Sequence, residues 1–270
     1  MQIANPIYDV VFKYMMSDNK VAKLFLSAII GEEIVDLVFE PTEMQLSLQE
    51  SITVLRMDFK ATIKQADGSQ KVIIIEIQKA KLHTDIMRFR RYLGQQYIDV
   101  NNSIVVGNYI KKDKKQVKRK ALPILSIYFL GHELAHLVDV PVVKVERSYL
   151  DVATGVVLEE KDEFIESLTH DSFVIQLPHI KGRRRTELEQ LLYVFDQDQI
   201  DESSGTKHLL DINEEDLPVR YRPVFRRLLS AFANPKIRET MTVEDEVLEE
   251  IQGYSREIED LKESLEETSE

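Results

Sequence analysis

The residues of this sequence with the clearest chemical potential are two acids, Asp58 and Glu76, in consecutive segments that each resemble a β-strand. Residues 51–63 alternate between apolar and polar types, and residues 71–77 are rich in β-branched types, as is typical of strands. Asp67-Gly68, a hairpin turn signal, lies near the midpoint between the two acids. A hairpin folded at this turn is expected to bring the two carboxylates almost directly opposite each other.

Two converging carboxylates favour a hard divalent cation, because Mg²⁺ binds one or two carboxylates and keeps waters for a substrate phosphate. An acid at the end of an apolar strand is unusual, since a buried carboxylate is costly unless it is paired or binds a metal. Gln78 lies on the same strand face as Glu76 and could orient a water, whereas Lys79 points to the other face unless the strand bulges. The spacing alone fits a polar pair on a solvated hairpin equally well.

The rest of the sequence predicts a mixed α/β fold with a helical C-terminal third. No repeat of fixed period is present. The predicted helices span about 7–16, 19–30 (ending at Gly31), 84–100, 159–168, 184–196 and 218–233. The predicted strands span about 51–63, 71–77, 103–110, 124–130, 142–150 and 173–177.

The composition excludes several classes of protein. The 270 residues contain no Cys, which excludes disulfide scaffolds, Cys-ligated zinc, iron–sulfur clusters and thiol nucleophiles. The sequence starts without a basic segment followed by an apolar one, and no uncharged run is long enough to span a bilayer, so we expect a cytoplasmic protein. The net charge of −12 comes mostly from residues 242–270, so it does not argue against an anionic ligand for the rest of the chain.

Two basic segments are candidates for contact with nucleic-acid phosphates, which requires Lys or Arg but no particular spacing. One is the stretch 110–120, and the other is the basic stripe of the helix that follows Glu76. An equally simple interpretation is that both are ordinary solvated surfaces. The candidate DNA contacts are Lys81, Arg88, Arg91, Lys114, Lys115 and Lys118.

Several segments together resemble one nuclease family. Asp58 followed by Glu76-Ile77-Gln78-Lys79 resembles the D…ExQ variant of the PD-(D/E)XK motif. Residues 9–13, DVVFK, resemble the DxxFK opening of recombination-promoting nucleases and PD-(D/E)XK nuclease family transposases. Arg88 with Tyr92, and the segments 123–131 and 173–178, fall where that family has similar segments. The resemblance covers roughly residues 4–235.

The resemblance implies a restriction-endonuclease-like core, a mixed sheet flanked by helices, that hydrolyses DNA phosphodiesters with Mg²⁺. By position, Asp58 and Glu76 would bind the metal, and Asp9 would be an additional acid from the first helix. Gln78 stands where the usual motif has Lys and cannot supply a positive charge. The resemblance therefore leaves Lys79 or Arg88 as the source of that charge, or implies that activity is weak or lost.

The acidic segment 236–270 is predicted to be a helical tail attached to a nuclease-like domain over 1–235. It carries an apolar stripe at heptad spacing, which fits either a short coiled coil or a helix packed on the domain. The alternative function is a catalytically inactive DNA-binding or assembly protein that keeps the fold and forms homo-oligomers through this tail. The stripe consists of Val247, Ile251, Tyr254, Ile258, Leu261 and Leu265.

Residues 132–136, HELAH, match the HExxH motif of zinc peptidases. That chemistry requires a helix, because both histidines must share one helix face. Here the motif directly follows the predicted strand 124–130, so we expect a chance match. A zinc peptidase remains a third hypothesis.

Overall fold

A computed structural model of the chain describes residues 2–40, 54–65, 67–80, 86–111 and 114–269. The fold is mixed α/β with a helical C-terminal region, which confirms the predicted class. The strands are β1 Gln2–Ala4, β2 Glu33–Glu40, β3 Val54–Lys64, β4 Gln70–Ala80, β5 Ser103–Lys111, β6 Lys114–Ala121, β7 Ile124–Leu130, β8 Val142–Val145, β9 Tyr149–Leu150, β10 Val157–Leu158, β11 Asp171–Gln176 and β12 Leu209–Asp211. The helices are α1 Asp9–Met16, α2 Asn19–Ile30, α3 Ile86–Ile98, α4 Glu163–Leu168, α5 Glu187–Leu192, α6 Arg222–Ala233 and α7 Pro235–Ser269.

The main sheet is mixed and has the order β2-β3-β4-β7-β11-β8. Neighbours pair antiparallel from β2 to β4, parallel from β4 to β11, and antiparallel again between β11 and β8. The turn between β3 and β4 contains Gly68 with φ of 83°, a conformation that glycine adopts without a steric penalty. This turn confirms the predicted hairpin and fixes the register of its two strands.

The two faces of the main sheet are covered by different helices. The face that carries Phe59, Ile75 and Ile77 packs on α1, α2, α5 and α6, and we call it the core face. Phe12 of α1 and Phe129 of β7 meet there, with ring centroids 5.2 Å apart. The opposite face packs on α3 and is called the α3 face.

Local capping explains where several helices begin and end. The Asp18 side chain accepts hydrogen bonds from Lys20 N and Val21 N, and Gly31 ends α2 with φ of 79°, as predicted. The predicted helix 159–168 begins only at Glu163, where the Asp162 side chain caps it. The predicted helix 184–196 is shorter too, because its capping box places the start after Thr186.

The predicted strand 142–150 is interrupted, so β8 and β9 are separate strands. Arg147, in the gap, donates from its backbone N–H and from Nε to Asp171 Oδ1, at 3.1 and 2.8 Å. Its Nη2 is 3.1 Å from Glu166 Oε2. These bonds draw the backbone of Arg147 out of the β ladder.

Residues 114–120 of the basic stretch, which lie outside the predicted strands, belong to a strand. Residues 114–121 form β6, which pairs antiparallel with β5 in a separate two-stranded sheet. Val105 and Val117 of this hairpin are about half exposed, at 58% and 49%. The positive charges of β6 therefore did not prevent it from forming a strand, because β5, which is rich in β-branched residues, pairs with it.

The C-terminal helix α7 begins against the rest of the chain. Ile237 and Met241 are buried in the main core. Both carboxylate oxygens of Glu244 accept hydrogen bonds from the first turn of α1, from Asp9 N at 2.9 Å and Val10 N at 2.8 Å. Farther along, Tyr254, Ile258 and Leu261 are 52–58% exposed. The predicted boundary after residue 235 stays a prediction, but the helix beyond it contacts the body through Glu244.

Candidate active site

The β3–β4 ladder brings the predicted acids together. Asp58 pairs with Glu76 and Arg56 pairs with Gln78 in the antiparallel register, while Ser126 of β7 lies beside Glu76 on its other side. All these side chains belong to the α3 face because they are an even number of residues apart along each strand. Asp58 and Glu76 are buried, with 3% and 0% exposure.

Arg56 lies between the two carboxylates. Its Nη2 is 2.8 Å from Asp58 Oδ2 and its Nε is 3.2 Å from Asp58 Oδ1, so this pair is bidentate. The same Nε is 3.7 Å from Glu76 Oε1. One nitrogen atom therefore lies within 4 Å of both acids, which places the two carboxylates around one centre.

Helix α3 holds the other side of the guanidinium. Arg56 Nη1 donates to Gln95 Oε1 at 3.0 Å, and its Cζ lies 5.2 Å from the centroid of the Tyr92 ring. Arg56 is itself nearly buried, with 8% of its side chain exposed. The guanidinium is thus fixed from both the sheet and the helix.

The pKa of Glu76 is strongly raised in this setting. Burial, and after it the nearby charge of Asp58, raise its pKa from the usual 4.5 to about 8, against the opposing effects of Arg56 and Gln78. Gln78 Nε2 donates to Glu76 Oε1 at 2.8 Å and lies 3.4 Å from the carbonyl oxygen of Phe89. The carboxylate is expensive to ionise in this setting, as is common at functional sites.

One buried oxygen of Glu76 and one of Gln78 lack a donor within the part of the chain that the structure describes. They are Glu76 Oε2 and Gln78 Oε1. Oxygen atoms of this kind, next to a second carboxylate, are what a hard cation such as Mg²⁺ prefers. The residues present therefore fit the predicted metal, with Asp58 and Glu76 as its carboxylates. In the described ranges no three His, Asp or Glu side chains cluster closely enough to bind a metal by themselves.

Lys79 and Asp9 are not brought to this cluster. Lys79 is 1% exposed on the core face, where its Nζ lies 2.5 Å from Asp9 Oδ1 at the start of α1. Its Nζ is also 5.8 Å from the centroid of the Phe12 ring. The strand continues without a bulge, so Lys79 points away from Glu76, and the two residues form a separate ion pair on the opposite face.

The candidate phosphate contacts are spread over two elements. Arg88 is partly buried and Arg91 is exposed on α3, and Lys118 is exposed on β6. Lys114 and Lys115 belong to the backbone of β6, with side chains outside the description, and Lys81 lies outside the described residues. The structure thus brings α3, but not β6, next to the acid pair.

The sequence motifs give no role to Arg56. The available signal was its position two residues before Asp58, which places both on one strand face. Its position opposite Gln78 also followed from the predicted register. The contacts of Arg56 with Gln95 and Tyr92 depend on how α3 packs on the sheet, and no sequence pattern predicts them.

The HExxH motif lies in an irregular loop, as expected. Residues 131–136 are not helical, so the two histidines do not share a helix face. Gln176 of β11 stabilises the non-helical conformation of this loop. Its side chain accepts a hydrogen bond from Leu134 N at 2.7 Å and donates to the carbonyl oxygens of Leu137 and Val140. The arrangement does not support the zinc peptidase hypothesis.

Comparison of the chain with protein-family models, curated proteins and solved structures finds no match. Within the described ranges, no helix combines the length and apolar character needed to cross a bilayer. The geometry of the site and the sequence motifs are therefore the basis for assigning a function.

Proposed function

We propose that the chain is a Mg²⁺-dependent DNA endonuclease with a restriction-endonuclease-like core, of the type associated with transposition and DNA recombination. The observation that carries this proposal is the pairing of Asp58 with Glu76 around one centre, beside the donor-free oxygens of Glu76 and Gln78. A mixed sheet covered by helices on both faces agrees with the architecture that the family resemblance implies.

In this proposal the protein's own groups have separate roles. Asp58 and Glu76 hold Mg²⁺, which when bound lowers the pKa of a water and neutralises charge on the phosphate. Gln78, bonded to Glu76 Oε1, keeps its carbonyl oxygen available to orient that water. Arg88 and Arg91 on α3, with Lys114, Lys115 and Lys118 on the β5–β6 hairpin, bind the DNA backbone.

A plasmid-nicking assay with the full chain and Mg²⁺ tests the proposal. Asp58→Asn and Glu76→Gln are each expected to reduce cleavage on the order of 100-fold or more, since each removes a metal ligand. Lys60→Gln is the matched control, because Lys60 lies on the same strand face, two residues from Asp58. Equal cleavage by the wild type and both acid variants would refute the assignment.

The alternative is an inactive DNA-binding or assembly protein that keeps the nuclease fold and forms oligomers through α7. One observation favours it: the two carboxylates are nearly inaccessible to solvent, and Arg56 already forms a bidentate ion pair with Asp58. In that case DNA binding persists in Asp58→Asn and Glu76→Gln, and no condition yields cleavage. Self-association of the full chain in sedimentation, lost on Ile258→Glu, would support the role of α7, where Ile258 is exposed.

A further inference from the structure

The positive charge of Arg56 occupies the position between the two carboxylates where a bound cation would lie. Its Nε is 3.2 Å from Asp58 Oδ1 and 3.7 Å from Glu76 Oε1, and both oxygens of Asp58 face the guanidinium. A divalent cation bound by the same two carboxylates would lie close to this group, and like charges at such distances in a buried site repel strongly. The metal and the guanidinium therefore exclude each other.

We propose that Arg56 is an internal competitor of the metal, so that Mg²⁺ binds Asp58 and Glu76 only by displacing the Arg56 guanidinium. This inference rests on the proposed function, because it assumes that the two acids form a metal site. It adds a residue that the sequence motifs do not include.

The anchoring of Arg56 indicates that this competition is built into the site. Two of its anchors, Gln95 and Tyr92, belong to α3 rather than to the sheet. The guanidinium also compensates part of the acidic charge that would otherwise be buried without a cation. Arg56 thus keeps the site folded in the absence of metal and lowers its affinity for metal.

Titration calorimetry of the full chain with Mg²⁺ alone, without DNA, tests the competition. Arg56→Gln is expected to bind Mg²⁺ roughly tenfold more tightly than the wild type, because one competing charge is gone. Lys60→Gln removes a charge from the same strand face but is expected to change the affinity less than about twofold. Equal gains in both variants would overturn the role of Arg56.

A second readout follows the wild-type protein, and a variant at Arg56 serves only to assign the signal. The ¹H–¹⁵N signal of Arg56 Nε, assigned by its loss in Arg56→Gln or Arg56→Lys, is expected to shift or broaden as Mg²⁺ saturates the protein. The same signal should stay unchanged in Glu76→Gln. Saturable Mg²⁺ binding that depends on Asp58 and Glu76, but leaves the Arg56 signal in place, would refute the displacement alone. Absence of such binding from both the wild type and Arg56→Gln would instead refute the metal site.

Discussion

The strand β4 carries two buried ion clusters on its opposite faces. On the core face Lys79 pairs with Asp9, one cation with one acid, and we call this the core-face pair. On the α3 face Arg56 lies between Asp58 and Glu76, one cation with two acids, and we call this the α3-face cluster. Glu76 and Lys79 are three residues apart on β4, yet the charge balance of their two clusters differs.

This difference separates a structural role from a functional one. Each cluster contains a buried oxygen without a donor in the described ranges, Asp9 Oδ2 in one and Glu76 Oε2 in the other, so orphaned oxygens alone do not distinguish them. The charge balance does distinguish them. The core-face pair holds one acid and one cation, whereas above the pKa of Glu76 the two acids around one guanidinium leave negative charge that a divalent cation would balance.

The largest effect on stability is expected from a substitution that breaks the core-face pair. Lys79→Met leaves Asp9 buried without its cation and is expected to lower the free energy of unfolding by about 3–5 kcal/mol. The double variant Lys79→Met/Asp9→Leu should recover most of this loss, because no unpaired charge stays buried. Urea denaturation monitored by circular dichroism provides the measurement, and a loss below about 1 kcal/mol in the single variant would contradict the structural role.

Metal addition is expected to act on the α3-face cluster alone. A concentration of Mg²⁺ about 100 times its Kd should stabilise the wild type by roughly 2.7 kcal/mol, because the metal binds only the folded chain. Glu76→Gln should abolish this gain, whereas Asp9→Asn should retain it. Thermal unfolding with and without Mg²⁺ gives the comparison, and equal stabilisation of all three proteins would contradict a site at Glu76.

The pH dependence of stability should also distinguish the two clusters. The pKa of Glu76 is raised from 4.5 when unfolded to about 8 when folded, so its favourable contribution is full below pH 4.5 and is lost as the pH rises through 8. Relative to Glu76→Gln, the metal-free wild type should therefore lose Tm steadily as the pH rises between these limits. Glu215→Gln, at an exposed position, is the control and should leave the pH profile unchanged.

The smallest effect concerns the link between α7 and the core-face pair. Glu244→Ala removes the acceptor of the backbone N–H groups of Asp9 and Val10 and should reduce stability by about 1 kcal/mol. Glu244→Gln keeps one acceptor oxygen and should lose less, and Glu246→Ala is the matched control because Glu246 is exposed on the same helix. A larger loss from Glu246→Ala would contradict the capping role.

The geometry of the acid pair was predictable, and its surroundings were not. Strand alternation and the Asp67-Gly68 turn are local signals, and together they fix the register that places Asp58 opposite Glu76. The contact of Lys79 with Asp9 joins residues 70 positions apart, and it depends on the packing of α1 on the sheet. Side-chain partners of this kind follow from tertiary packing and leave no periodic signal.

The same distinction applies to the secondary structure. Helix α2 was predictable because its cap at Asp18 and its stop at Gly31 lie within the segment itself. The break at Arg147 was not, because Glu166 and Asp171, which hold that residue, come from later in the chain. The basic strand β6 was missed because its charges resemble a loop, while its partner β5 supplies the apolar residues.

The bond from Glu244 to the start of α1 spans 235 positions of sequence, and β1 likewise pairs with the late strand β12. When the ribosome has synthesised all strands of the main sheet, the nascent chain therefore still lacks Glu244, the acceptor for the first turn of α1. Contacts of such long range form late and slow the final folding step. A nascent chain stopped before residue 244 lacks this closure, so translation must pass into the acidic helix before the first turn of α1 is complete.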